Sequence, residues 1–137
     1  MSHLHRVSIF CFRRLQGDLQ YLFVRRRPFL EFDWAPIHAS ILPQDTLPQA
    51  AVRNMREQWG APMPSPWIDL ETFDRHPVGD SELIDWCVGY GVTGAWVPKV
   101  PEDGLSALKW TNLPAGFRLL QEEENRRALF RLHLAAH

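Results

Sequence analysis

Two apolar runs near the start of the chain are separated by a short turn. "HRVSIFCF" (5 to 12) and "DLQYLFVRRRP" (18 to 28) are rich in β-branched and aromatic residues, and "RRLQG" lies between them. This pattern predicts a β-hairpin. In the second run Leu19, Tyr21 and Phe23 share one face while Gln20, Leu22 and Val24 share the other. Both faces are therefore expected to be covered, as in an internal strand. The stretch "PFLEFDWAPIHASILPQD" (28 to 45) is interrupted by proline and allows only short extended pieces.

A helix follows. Thr46 and Gln49 form a T-x-x-Q capping box, and Pro48 sits in the first turn, where its missing N–H does no harm. Leu47, Ala51, Met55 and Trp59 recur at i, i+4 and Gly60 supplies the stop, so the spacing predicts a helix from about 47 to 59. After the linker "GAPMPSP", "WIDLETF" alternates as a strand does. "ELIDWCVGYGVTGAWVPKV" (82 to 100) predicts one or two more strands with a glycine-containing bend, and "LKWTNLP" a last short one. From about Ala115 to Ala136 the apolar residues keep helical spacings amid Glu and Arg, with a break expected near 121 to 124. The order predicts an α+β architecture, a mixed sheet between helices in an α/β/α sandwich.

Composition narrows the function classes. A chain of 137 residues has the length of one domain, here expected to span 1–137, and a chain of this size buries roughly two thirds of its unfolded surface. Its formal net charge of -1 argues against a nucleic-acid binder that works by neutralising phosphates. Cys11 and Cys87 lie in apolar runs, outside any CxxC or zinc-type spacing, and are expected to be buried free thiols. No run reaches the 18 or so apolar residues of a membrane span, and the first residues have no signal-peptide pattern. No membrane partner is expected, and a cytoplasmic location follows by default.

The stretch "AAVRNMREQWGAP" (50 to 62) resembles the end of the signature of the Nudix family, G-x5-E-x7-R-E-U-x-E-E-x-G-U, with U a bulky aliphatic residue. Laid on residues 39 to 61, Arg53, Met55, Glu57 and Gly60 satisfy the pattern. Ala39 stands at the leading glycine, Asp45 at the first glutamate, and Asn54 and Gln58 at two later glutamates. Other segments support the alignment. "FDWAPIHAS" looks like the tryptophan-containing strand that leads into the box, and "FVRRRP" resembles the family's L-L-x-x-R-R strand. "TLPQAA" is similar to the E-T-A-x-x-A-A helix start of the dihydroneopterin triphosphate and dATP pyrophosphohydrolase branch. "LKWTNLPAGFRLL" with "NRRAL" is similar to the family's last strand and helix.

The resemblance implies the Nudix fold, cleavage of a nucleoside diphosphate linked to another moiety, and magnesium held by glutamates on the box helix. Positions 54, 57 and 58 share one helix face, so a carboxylate at each would converge on one ion. Here that face offers Glu57 and two neutral amides. Each lost charge opposite a divalent cation at ~4 Å is worth about 8 kcal/mol gross at an effective dielectric of ~20, before desolvation is subtracted. Magnesium, which takes hard anionic oxygens, is therefore doubtful here, and hydrolysis is expected to be weak or absent.

Several residues carry two readings. Asp45 is a weak metal ligand or an N-terminal dipole partner of the helix. Arg53, with a vestigial catalytic role by resemblance, equally suits an i, i+4 ion pair with Glu57. Arg25 and Arg27 are the candidate phosphate contacts, on the face opposite Arg26, because an arginine fork matches phosphate oxygens. His38 is a candidate ligand or base in the loop cavity, against a local hydrogen-bonding role. Trp34 and Trp110 occupy sheet-core positions by resemblance, while Trp59, Trp67, Trp86 and Trp96 include possible base-stacking rings.

Three functions follow. The first is a Nudix-fold protein with a degenerate box that still binds a nucleotide or other diphosphate-containing small molecule. The second is an active hydrolase with a relocated site using Asp45, Glu57 and an acid such as Glu31, Asp33 or Glu102. The third is a protein-interaction module that keeps only the scaffold.

Overall fold

The computed structural model of the chain describes residues 3–26, 34–100 and 105–136, without the side chains of residues 26, 105 and 106. The candidates Arg27, Glu31, Asp33 and Glu102 lie outside the described residues. The order of elements is β1 (His3–Leu15), β2 (Asp18–Arg26), β3 (Ile37–Ser40), α1 (Leu47–Trp59), β4 (Trp67–Val78), β5 (Ser81–Val92), β6 (Leu105–Thr111), α2 (Leu113–Leu119) and α3 (Glu123–Ala136).

The strands form a mixed sheet in the order β4-β5-β1-β2-β6, with β3 pairing the first half of β1. The central pair β1–β5 is parallel and the other pairings are antiparallel. The predicted first hairpin is present and longer than the apolar runs suggest. Strand pairing continues through Arg13, Arg14 and Leu15 to a two-residue turn, where Gln16 (φ 53°) and Gly17 (φ 86°) both lie in the left-handed region. Such turns match the right-handed twist of the strands they join.

Burial alternates as the period-2 pattern requires. Val7, Ile9 and Cys11 of β1, with Leu22 and Val24 of β2, join Ala51, Met55 and Trp59 of α1 in one core layer. Phe10, Phe12, Tyr21 and Phe23 join Ala128, Leu129 and Leu132 of α3 in a second layer on the other side. This is the α/β/α sandwich expected from the sequence.

The α1 helix has the predicted boundaries. Thr46 accepts from the Gln49 N–H and the Gln49 side chain answers to the Thr46 N–H, so two otherwise orphaned donors are satisfied. Gly60 ends the helix at φ 66°, a conformation that favours glycine, and its N–H closes onto Arg56.

One strand pair differs from the sequence expectation. β4 does not stop near Phe73 but runs on to Val78 and turns at Gly79 and Asp80 into β5. Residues Asp74–Val78 have little apolar signal, and pairing with β5 supplies the order that local pattern does not. Within β5, Gly91 is required by proximity: a Cβ there would lie 2.6 Å from the Ser65 carbonyl oxygen and 2.7 Å from Pro66 Cδ. The C-terminal helical region is broken at Leu120–Glu122, close to the expected place.

Candidate functional site

α1 lies across one face of the sheet with its other side open to solvent, and its candidate residues fall into three groups. The first is a polar clamp at the helix start. Arg53 Nη1 donates to Asp45 Oδ1 at 2.7 Å, while the backbone N–H of Leu42 donates to Asp45 Oδ2 at 3.0 Å. Arg53 also reaches the Ser40 carbonyl at 3.5 Å. The arginine hydrogen bond, followed by the backbone one, holds the Asp45 carboxyl below the ordinary carboxylate range. Asp45 correspondingly pushes the Arg53 guanidinium up, and Glu57 adds only a smaller field. The i, i+4 ion pair of Arg53 with Glu57, one of the two readings above, is replaced by this longer-range pair. Asp45 wins because it is anchored by a backbone N–H, so the arginine finds a fixed carboxylate.

The second group is the face that a metal would need. Asn54 is half-buried, and its Oδ1 is buried without a hydrogen-bond partner among the described residues. Glu57 and Gln58 are exposed. Asp45 does not add a free carboxylate, since both its oxygens are engaged. Among the described residues, no group of three His, Cys, Asp or Glu side chains is placed to hold a metal ion. Ala39 is buried on β3, opposite Val7, and contributes to the core beneath α1.

The third is an open groove of about 460 Å³ along the solvent side of α1, bordered by Arg53, Arg56 and Glu57 with Val52 and Met63. It mixes two cations with one carboxylate on an apolar floor.

Other candidates lie elsewhere. Arg25 follows Tyr21 and Phe23 onto the α2/α3 side, where its guanidinium sits 5.2 Å from the centre of the Trp34 ring. His38 points to that side too, its Nδ1 3.0 Å from Ser8 Oγ. Ser8 is fully buried and also donates to Asp85 Oδ1 at 2.8 Å, while Arg6 Nη2 pairs with Asp85 Oδ2 at 3.0 Å. The sheet thus separates Arg25 and His38 from Glu57. The alternation that places His38 in this way was readable once β3 was known. The contact of Ser8 with Asp85, 77 residues further along the chain, was not.

Arg13 is a residue that the sequence reading passed over. It lies on the α1 side of the sheet, stacked on Trp110 with the guanidinium carbon 3.9 Å from the ring centre. Its Nε donates to Gln20 Oε1 at 2.9 Å across the β1–β2 pair. The signal was present in the hairpin: a turn at 16–17 makes Arg13 and Gln20 direct neighbours. Of the tryptophans, Trp59 is fully buried, its Nε1 without a partner among the described residues, and Trp34, Trp67, Trp86, Trp96 and Trp110 are half-buried. Cys11 and Cys87 are buried and unpaired, and burial raises both thiols, Cys87 to about 12. Neither is poised as a nucleophile.

No protein-family model and no curated protein matches the chain. Solved structures do. The NUDIX domain of Shewanella oneidensis NrtR, complexed with ADP ribose, superposes with a TM-score of 0.77 at 15% identity, covering 100% of this chain and 90% of that one. A C. elegans Ap4A hydrolase binary complex gives 0.74 at 15%, covering 98% and 99%. The E. coli dihydroneopterin triphosphate pyrophosphohydrolase gives 0.71 at 17%, covering 94% and 95%. At these identities the likeness is one of fold: the chain has the Nudix fold, with a mixed sheet between helices.

Proposed function

We propose that this chain binds a nucleotide or related diphosphate-containing small molecule on a Nudix scaffold whose magnesium-dependent pyrophosphohydrolase chemistry is weak or lost. The observation that carries the reading is the state of the carboxylates around α1. Glu57 is exposed and free of any ion pair among the described residues, Asp45 is committed to Arg53 and Leu42, and positions 54 and 58 hold amides. Magnesium requires anionic oxygens and retains its waters unless phosphate and carboxylate charge offset their loss. One free carboxylate beside two arginines does not fit that ion, and no catalytic step is derived through it.

What the chain keeps is suited to binding. The box helix has its cap, its apolar stripe and its terminal glycine. The groove beside it is open and lined by arginine, which disfavours a scaffold used only for protein contacts. Structures of like fold carry ADP ribose in one case and are named as hydrolases of Ap4A and dihydroneopterin triphosphate in others. A nucleotide-like ligand is the class they share. No helix among the described residues is long and apolar enough to cross a membrane.

The test is a panel of nucleoside triphosphates, dinucleoside polyphosphates and nucleotide sugars, assayed with magnesium or manganese and by equilibrium binding. The reading expects measurable binding and turnover at most a small fraction of ordinary enzyme rates, about 10 per second. Ordinary turnover that disappears in Glu57→Ala would establish an active metal site and overturn it.

A further inference from the structure

Arg13 is a cation held between two neighbours and has no counter-charge among the described residues. The Gln20 hydrogen bond uses its Nε–H, and the Trp110 ring covers one face of the guanidinium. These two contacts leave the four terminal N–H groups without a partner among the described residues. Among the described residues no carboxylate forms an ion pair with it, and partial burial pushes its pKa down. The neighbouring Cys11 thiol is held neutral by burial.

The surroundings are closely packed as well. Trp96 stands edge-on to Trp110 with ring centres 6.5 Å apart, and its indole N–H donates to the Gly60 carbonyl at the end of α1. The loop bearing Trp96 is pressed against the end of β1: a Cβ on Gly94 would lie 3.0 Å from the Arg14 carbonyl oxygen. Arg13, Trp96 and Trp110 thus form a corner that adjoins the end of the box helix on the same side of the sheet.

We infer that Arg13 anchors a phosphate group of the ligand, its two terminal nitrogens donating as a fork while Gln20 and Trp110 hold the guanidinium in position. The inference rests on the nucleotide-binding reading and adds a specific contact to it. An arginine fork matches two phosphate oxygens at once. A side chain already immobilised by stacking loses little further freedom on binding, so more of the contact energy appears as affinity. A partly desolvated arginine with no salt bridge among the described residues gains most from an incoming anion, because no such bridge must break.

Titration calorimetry on the full chain with ADP, inorganic pyrophosphate and uncharged adenosine, for wild type, Arg13→Gln and Arg13→Lys, tests this. Loss of a charge-assisted fork predicts that Arg13→Gln weakens ADP and pyrophosphate roughly ten- to a hundredfold and leaves adenosine unchanged. Arg13→Lys, which keeps the charge but not the fork, is expected to stay at least about threefold weaker than wild type. It carries the test if Arg13→Gln does not fold. Equal affinity of wild type and variants for pyrophosphate overturns the anchor, even where ADP binds and the broader reading stands. Pyrophosphate binding that Arg13→Gln weakens, with no ADP binding, supports the anchor and removes the nucleotide reading. Failure of wild type to bind any of the three overturns both.

Discussion

Asp45 and Arg53 are joined by a 2.7 Å hydrogen-bonded ion pair that ties the segment before α1 to the middle of the helix. The resemblance implies a salt bridge within the box in which this arginine orients a glutamate, and the pair found here has an aspartate at the upstream acidic position. In this chain the pair braces the turn before α1. Asp45 also accepts from Leu42, so the pair fixes the turn that delivers Thr46 to its capping position.

The pair has a pH signature. Arg53 first, then the Leu42 N–H, holds the Asp45 carboxyl below its unfolded value. The stabilisation is therefore complete above the ordinary carboxylate range and is lost as pH falls through the lower, folded value. Asp45→Asn should lower the thermal midpoint at pH 7, and the gap between wild type and variant should close on acidification. A gap independent of pH between 7 and 2 would contradict the assignment.

Asp74 makes the opposite prediction. It faces Asp85 directly across the β4–β5 pair, with Glu124 of α3 nearby, and burial followed by the Glu124 charge raises its pKa, against opposing fields from His76 and Arg127. Asp85 already has Arg6 and Ser8, so Asp74 receives no share of those partners. A raised folded value means that the wild-type penalty is full above that value and vanishes below the unfolded one. Asp74→Asn should raise the thermal midpoint at pH 7, with the gain fading below about pH 4. A destabilised variant at pH 7 would show that the Asp74 charge is used.

Trp59 separates volume from polarity. Its ring is fully buried in the layer under α1 and its Nε1 has no hydrogen-bond partner among the described residues. Trp59→Ala should cost about 3–5 kcal/mol in chemical denaturation. Trp59→Phe also leaves a void, but it removes a buried donor whose isolation costs about 1–3 kcal/mol. Its net loss should stay within about 1–2 kcal/mol. Equal losses in the two variants would mean that Nε1 is satisfied in solution.

These energetics bear on what could be read without coordinates. The α1 boundaries were legible because capping box, apolar stripe and stop glycine all act within a few residues, and each selects the same limits. The first hairpin was legible for the same local reason. The second was not, since the polar half of β4 is ordered by β5 and not by its own pattern. At the site, the amides at 54 and 58 were visible in sequence, but the partner of Arg53 was not. Helical spacing favours Glu57, and only the folded turn shows that a backbone N–H has fixed Asp45 first. Arg25 and His38 illustrate the converse: residue chemistry suggested a phosphate contact for the one and a ligand or base role for the other, and strand alternation places both on the side of the sheet away from α1.

The central claim is that the scaffold keeps a binding site while α1 lacks the negative charge to hold a divalent metal. Manganese binding to wild type and to the double variant Asn54→Glu, Gln58→Glu, followed by paramagnetic resonance, tests it most directly. Restoring two carboxylates beside Glu57 should tighten manganese binding by at least about tenfold, and hydrolysis of a nucleoside triphosphate should rise with it. Tight manganese binding by wild type, unchanged in the double variant, would contradict the claim.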